Sequence, residues 1–293
     1  MNKLTALLLI FFAASGVFAQ TRVEITGTVE WDTLMIRAAM SLDLASAGVR
    51  LPAGRTQGES ILKSSYIRLI QPGIMLMQVD SSSTIADLVS TGELSLYEIE
   101  TIALKAQSVP PALSPDLKRL ASSHTLPISG VSAALLRHSR PAHIMRTLNT
   151  VSSPRYTGIV IIASENLPVH GTRSSALPIP CLFPKIWDSD MNLIYEHSML
   201  DPRNAAMVRY STVDSIFQKN PSGLTPELTA VVGDRPLRIF ARGVFGIKPT
   251  DLIIDRRDSL PIISSEENRR LLSEGKVAII LDDSVLRYDF SSR

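Results

Sequence analysis

Hydrophobic and polar residues alternate without a break from Arg22 to Trp31: Val23, Ile25, Gly27, Val29 and Trp31 fall on one side, Arg22, Glu24, Thr26, Thr28 and Glu30 on the other. A period of two predicts a half-buried strand. Asp32-Thr33 reads as a tight turn, and Leu34, Ile36, Ala38, Met40, Leu42 and Leu44 then take every second place, so a hairpin is expected, although Ala and Met also suit a helix. The period then lengthens. Thr56 followed by Glu59 forms a capping box, with Leu62, Tyr66, Leu69 and Ile70 on one helical face before Pro72, which predicts a helix stopped by that proline. Ser81 to Thr84 caps a short helix ending near Gly92. Ser95 with Glu98 caps a second, whose inner stripe is Leu96, Ile99, Ala103 and Ala106.

Val109-Pro110-Pro111, with Pro115 behind it, reads as an extended connector. Two β-like runs follow, Leu117 to Leu126 and Ile128 to Leu136, and Ser and Pro interrupt the pattern between Thr150 and Pro154. Beyond that point Tyr156 to Ala163 is an unbroken β-branched run, apolar on both faces, which predicts a fully buried central strand. A loop rich in Pro, Ser and Gly covers Glu165 to Pro180. Leu182 to Trp187 and Asn192 to His197 then form a hairpin about Asp188-Ser189-Asp190.

Ala205 to Tyr210, Leu237 to Ile247 and Asp251 to Ile254 are further strand candidates, with a turn at Asn220 to Gly223. Ser264 and Glu267 form a third capping box, Glu266 and Arg270 stand at helical pairing distance, Leu271 and Leu272 turn inward, and Gly275 marks the stop before a buried strand from Lys276 to Leu281. The alternation of helices with hairpin-connected strands predicts an α+β fold of mixed or antiparallel sheets with helices packed on one face. Two small domains are expected, 20–150 and 151–293, as suits a chain of 293 residues.

Composition adds an address. Lys3, the apolar run Leu4 to Phe18 and the small-residue site Val17-Phe18-Ala19 before Gln20 predict a secretory signal peptide over 1–19, with an uncleaved amino-terminal anchor as the alternative. That run is shorter than the roughly 20 residues of a spanning helix, and nothing later comes nearer, so no transmembrane span is expected after cleavage, while peripheral membrane contact stays open. Only 5% of residues are aromatic, which leaves Ile, Leu and Val to build the core. Cys181 is the single cysteine, so no intramolecular disulfide can form, and it stands far from the leader, where an acylated cysteine would be needed. It reads as a small buried hydrophobe. The net charge of +2 excludes a strong global field.

Candidate chemistry is sparse. Asp188-x-Asp190-x-Asn192 imitates the start of a calcium loop, yet Leu193 and Met199 occupy the glycine and bidentate-glutamate positions, so a structural turn is expected. His124, His138, His143, His170 and His197 lack zinc-ligand spacing. No nucleophile elbow, Walker loop or dinucleotide fingerprint occurs, and Gly243-Val244-Phe245-Gly246-Ile247-Lys248 only hints at a phosphate loop before Pro249. Folding could pair Asp282 and Asp283 with Asp255 or Asp258, but strand-end acids are common on surfaces. No catalytic, cofactor-binding or metal-ligating residue is therefore expected.

Charge is segregated in the amino-terminal half. Asp87, Glu93, Glu98 and Glu100 give an acidic stretch, and Lys118, Arg119, Arg137, Arg140, Arg146 and Arg155 a basic one. The two either face each other or solvent, or mediate contact between copies or with anionic envelope material. Nucleic acid is not expected, because export argues against it and few aromatics interleave the basic residues.

Val29-Glu30-Trp31-Asp32-Thr33, Gly54 to Glu59, Val79 to Thr84, Tyr156-Thr157-Gly158, Pro184 to Asp190, Thr250 to Ile254 and Lys276 to Asp282 together give the chain a resemblance. It resembles exported bacterial envelope proteins related to the flagellar outer-membrane protein FlgP and the small membrane-associated lipoproteins of Helicobacter, in a longer, spirochaete-type version. The resemblance spans most of the mature chain and implies a small α+β fold, an envelope location and a structural or assembly role beside the flagellar motor, without enzyme activity. It departs from the pattern in lacking a lipobox cysteine, and in placing Met191 where the hairpin turn would have glycine, so that Asn192 is expected to take the left-handed conformation. The reading is a non-enzymatic periplasmic structural or assembly protein, a possible homo-oligomer with envelope or flagellar-motor partners. Its alternative is a periplasmic ligand-binding module or hydrolase with a site assembled from distant acids and histidines.

Overall fold

The computed structural model describes residues 23–147, 151–204 and 206–292; the leader expected over 1–19 lies outside them. The first alternating stretch forms β1 (Val23–Glu30), which returns as β2 (Met35–Asp43) with Ile36, Ala38, Met40 and Leu42 buried. α1 (Arg55–Met75) follows, then α2 (Ile85–Ser90), α3 (Leu96–Ala103), β3 (Gln107–Leu113), β4 (Arg119–Pro127) and α4 (Ile128–Leu135). Leu62, Tyr66, Leu69, Ile70 and Ile74 place the buried face of α1 on the first sheet.

The capping box expected at Ser95 forms, its side chain accepting from Glu98 N–H, and within the Ser81 to Thr84 cluster it is Thr84 that caps the short helix, in a capping box with Asp87. The one expected at Thr56 does not. α1 starts at Arg55 behind Gly54, and Glu59 pairs with the Arg55 guanidinium at 3.0 Å instead. Nor does Pro72 end the helix. Proline removes one backbone hydrogen bond, but Gly73 and Ile74 are buried beyond it and hold the last turn in place. On α3, Ile102 is buried with Ile99 and Ala103, whereas Leu96 lies on the outside.

Two further expectations are corrected. Val109-Pro110-Pro111 is part of strand β3, tolerated because β3 is an edge strand whose register shifts between Val109 and Ala112. Ile128 to Leu135 is a helix and not a strand: Ile128 and Val131 are buried at helical spacing, and the small residues between them carry no alternating face.

After residue 150 come β5 (Ile159–Ile162), β6 (Leu167–Pro168), β7 (Ser175–Ala176), β8 (Ile186–Asp188), β9 (Leu193–Tyr195), β10 (Arg209–Ser211), α5 (Pro226–Val232), β11 (Leu237–Phe245), β12 (Asp251–Ile254), α6 (Arg256–Ser264), α7 (Glu266–Ser273), β13 (Val277–Ile280) and β14 (Arg287–Ser292). A seven-stranded mixed sheet runs in the order β10-β13-β5-β11-β12-β8-β9, in which β10, β13, β5 and β11 are mutually parallel and β12 turns back antiparallel on β11.

The central β-branched run is buried on both faces. Val160, Ala278 and Ile280 pack under α5 with Leu228 and Val232, while Ile159, Ile161, Val277 and Ile279 face the main core shared with Ile262, Ile263, Leu271 and Leu272. Helical cover therefore reaches both faces of this sheet and not one, with α5 and α6 arising in stretches where no helix was expected. Ser265, not Ser264, caps α7, and Arg270 pairs with Glu274 at 2.8 Å and not with Glu266. The loop at 165–180 contains the small β6-β7 hairpin.

The architecture is α+β with antiparallel and mixed sheets in two domains, joined more closely than a boundary near 151 implies. The antiparallel sheet runs β14-β1-β2-β4-β3, so the strand from Arg287 to Ser292 belongs to the first sheet. Its Phe290 ring fills a slot between Gly27 of β1 and Gly73 of α1, where an added Cβ would stand 2.3 and 2.6 Å from the ring. Glycine is required at both positions because the ring occupies the space a side chain would need. Among the described residues no helix is long and apolar enough to cross a membrane.

Candidate functional site

The residues with the most suggestive chemistry in the sequence are largely committed to holding the fold. Asp188 is buried, and its Oδ1 accepts from the backbone of Asp190 (3.0 Å) and Asn192 (2.8 Å) while the Asn192 amide reaches both carboxylate oxygens. That is a hairpin turn. Met191, at φ 59°, takes the left-handed conformation expected of Asn192, whose side chain is engaged with Asp188. Asp255 caps α6 after β12, and Asp282 caps a 3-10 turn after β13. Because β12 runs opposite to β13, the two acids stand at opposite strand ends of the sheet and do not converge on one substrate.

Gly243 lies within β11, next to a register shift, and Gly246 at φ 107° turns the chain beyond that strand, which accounts for the glycines without a phosphate loop. Cys181 is buried; the Tyr210 hydroxyl donates to its carbonyl at 2.9 Å and accepts from its N–H at 3.1 Å, and burial pushes the thiol well up from its ordinary value. The segregated charges partly face each other: Arg137 reaches Glu98 at 3.6 Å and donates to the Glu93 carbonyl.

The histidines separate into different roles. His143 is exposed, and His170 meets the Phe245 ring edge-on. His138 and His197, far apart in sequence, come together with ring centroids 6.4 Å apart. They stand by a cleft of about 210 Å³ between the domains, with Asp80 and Leu88 on one wall and Phe183, Lys185 and His197 on the other. Two backbone bonds pin the walls together, from Leu182 N–H to the Gln78 carbonyl (3.0 Å) and from Phe183 N–H to that of Val79 (2.8 Å).

Partial burial opposes the charge on Asp80, but the hydroxyls and N–H groups of Ser82 and Ser83 all donate to its Oδ1 at 2.8–2.9 Å, and its pKa lies below the usual range. His197 is pushed the other way from protonation, first by burial and then by His138 and Lys185, with Glu196 and Asp80 opposing. The cleft thus brings together the carboxylates of Asp80 and Glu93, the basic side chains of Arg137 and Lys185 and an imidazole, His197, on which burial disfavours the charged form. Among the described residues no hydrogen bond joins Asp80 to His197, and no group of three or more His, Cys, Asp or Glu is placed to hold a metal ion. The arrangement suits binding of a small polar molecule; a nucleophile activated by a base is not part of it. Sequence spacing gave no signal for this cleft, because its walls lie about a hundred residues apart.

A second surface is larger and flatter. The face of the antiparallel sheet opposite α1 carries short side chains in cross-strand rows: Ser291, Thr26, Ala39 and Ser123 in one, Asp289, Thr28, Arg37 and Thr125 in the next. They line a shallow depression of about 670 Å³. Arg37 pairs with Glu30 at 3.0 Å, and the Thr28 hydroxyl donates to Asp289 at 2.6 Å, so the face is polar, with one ion pair and one carboxylate held by a neutral donor.

Residues 22–134 match the family model described as Treponema pallidum Tp0624, N-terminal domain, and residues 158–283 match Treponema pallidum Tp0624, second domain. The two matches follow one another along the chain and coincide with the two sheets, apart from β14, which lies beyond the second match and completes the sheet of the first. They accord with the spirochaete-type, two-domain part of the resemblance. No curated protein matches the chain.

Proposed function

We propose that this chain, with two domains in the order of Tp0624, is a non-enzymatic protein of the periplasm or cell envelope that self-associates or docks onto a larger assembly. The observation that carries the reading is the open face of the antiparallel sheet: among the described residues no helix covers it, its side chains are mostly short, and Arg37 and Glu30 pair within it, so a second copy can lie against it. The leader-like segment and the resemblance to FlgP-type and Helicobacter envelope proteins support an envelope location and make the flagellar motor a candidate assembly. Sedimentation of the purified protein, wild type against Ala39→Arg, tests the contact. Wild-type oligomers that dissociate in the variant support it; a wild type monomeric at all concentrations, with no partner recovered from an envelope fraction, counts against it.

The cleft favours a second reading, a module that binds a small charged molecule between Asp80 and Lys185. Calorimetric titration with zwitterionic amino acids, repeated on Lys185→Ala, separates the two: saturable heat lost in the variant supports binding, and no heat leaves assembly as the better account.

A further inference from the structure

The inner face of β4 contains an irregularity. Leu120 and Leu126 point under α1 as the alternation requires, but the two inward positions between them are Ser122 and His124. The His124 ring stacks on Tyr66 of α1, centroids 4.1 Å apart, and its Nε2 lies 3.1 Å from the Ser122 hydroxyl. Tyr66 is only 6% exposed, and its hydroxyl is the one fully buried side-chain polar atom among the described residues with no hydrogen-bond partner. Buried polar groups normally find partners, and an orphan in an otherwise satisfied core calls for an explanation.

Tyr66 lines a groove of about 450 Å³ between α1, the end of α3 and edge strand β3, with Leu62, Ile67, Leu104 and Val109 as aliphatic walls and one charge of each sign, Glu59 and Lys63, along α1. Leu104 and Val109 are 69% and 62% exposed at its mouth. Pro110 and Pro111 remove two N–H donors from β3, so the edge is poorly suited to take up a peptide strand. Burial pushes the Tyr66 hydroxyl up to about 12 and lowers His124, so both floor groups stay neutral near neutral pH, and the desolvated floor disfavours an ionic head group.

We propose that this groove binds an aliphatic chain carrying one uncharged oxygen head group, which accepts a hydrogen bond from the Tyr66 hydroxyl while the chain lies along Leu62, Leu104 and Val109. Aliphatic walls match an aliphatic body, and the unpartnered hydroxyl of a tyrosine that lines the groove matches one polar end. The site is separate from both the sheet face and the interdomain cleft, so it stands or falls without them.

The test uses the purified full chain with 1-decanol and decane as probes, followed by ligand-observed NMR. Decanol is expected to bind the wild type, and Tyr66→Phe to weaken it roughly tenfold, the scale of one hydrogen bond, while decane binding stays unchanged. Ser108→Trp, at an exposed position on the groove rim, is expected to block both probes without altering the circular dichroism spectrum. Tyr66→Phe also removes the orphaned hydroxyl, so its melting temperature should equal or exceed that of the wild type, which separates lost binding from lost folding. Decanol binding that Tyr66→Phe leaves intact, binding that survives Ser108→Trp, or no binding of decanol to the wild type overturns the proposal.

Discussion

Asn268 is 1% exposed, and one side chain ties down the segment that connects the domains. Its amide donates to the Ser153 hydroxyl and the Pro154 carbonyl, each at 3.0 Å, and to the Pro261 carbonyl at 2.9 Å, while its Oδ1 accepts from Tyr156 N–H at 3.1 Å. Asn268→Ala removes all four bonds from a buried position and unties the connecting segment from α7, so a loss of about 1–3 kcal/mol is expected, read as a lower urea midpoint. Met191 offers the opposite change. A methionine at φ 59° is strained and a glycine is not, so Met191→Gly should raise stability by up to about 1 kcal/mol in the same measurement. The residue types around this turn were readable in the sequence, but which one bends was not. Asn192 is the better left-handed residue in isolation, and it is denied that role because its side chain binds Asp188.

Among the elements, the contact of α1 with β14 carries the most consequence. Phe290→Ala empties the slot between Gly27 and Gly73, and a loss of about 3–5 kcal/mol is expected, as for other buried Phe truncations. Gly73→Ala alone should also destabilise, because its Cβ would meet the ring; in the Phe290→Ala background the same change should be neutral or favourable, since alanine suits a helix better. A double-mutant cycle in urea gives the sign directly. The elements most legible in the sequence were those set locally. The caps at Thr84 and Ser95, the alternation of β1 and β2 and the β-branched runs of β5 and β13 all hold within a few neighbours. Where packing decides, local signals failed: Pro72 stays inside α1 because the turn after it is buried, and Ile128 to Leu135 coils because Ile128 and Val131 are buried there.

For the molecule as a whole, two half-buried histidines link stability to pH. Burial lowers both His124 and His197 below the ordinary histidine value, so the unfolded chain takes up protons first as acid is added. Stability from this source is complete above the unfolded value of about 6.5 and declines as pH falls below it. The urea midpoint is expected to drop between pH 7.5 and 5.5, and His124→Gln with His197→Gln to reduce that drop; a double variant with the wild-type slope would place the dependence elsewhere. The broad plan, α+β with two sheets, followed from periodicity and length. The groups of the cleft and of the groove did not, since each is assembled from segments that no spacing rule connects.

The pairing of β14 with β1 joins Thr28 to Asp289 across 261 positions. During translation the first domain can form its hairpin and helix early, but it waits with one strand edge bare and the slot beside Gly73 vacant until the segment from Arg287 leaves the ribosome. A nascent chain interrupted before that point would carry both domain sequences and still fail to close its first sheet, leaving an adhesive edge that makes the unfinished product a target for chaperones and proteases.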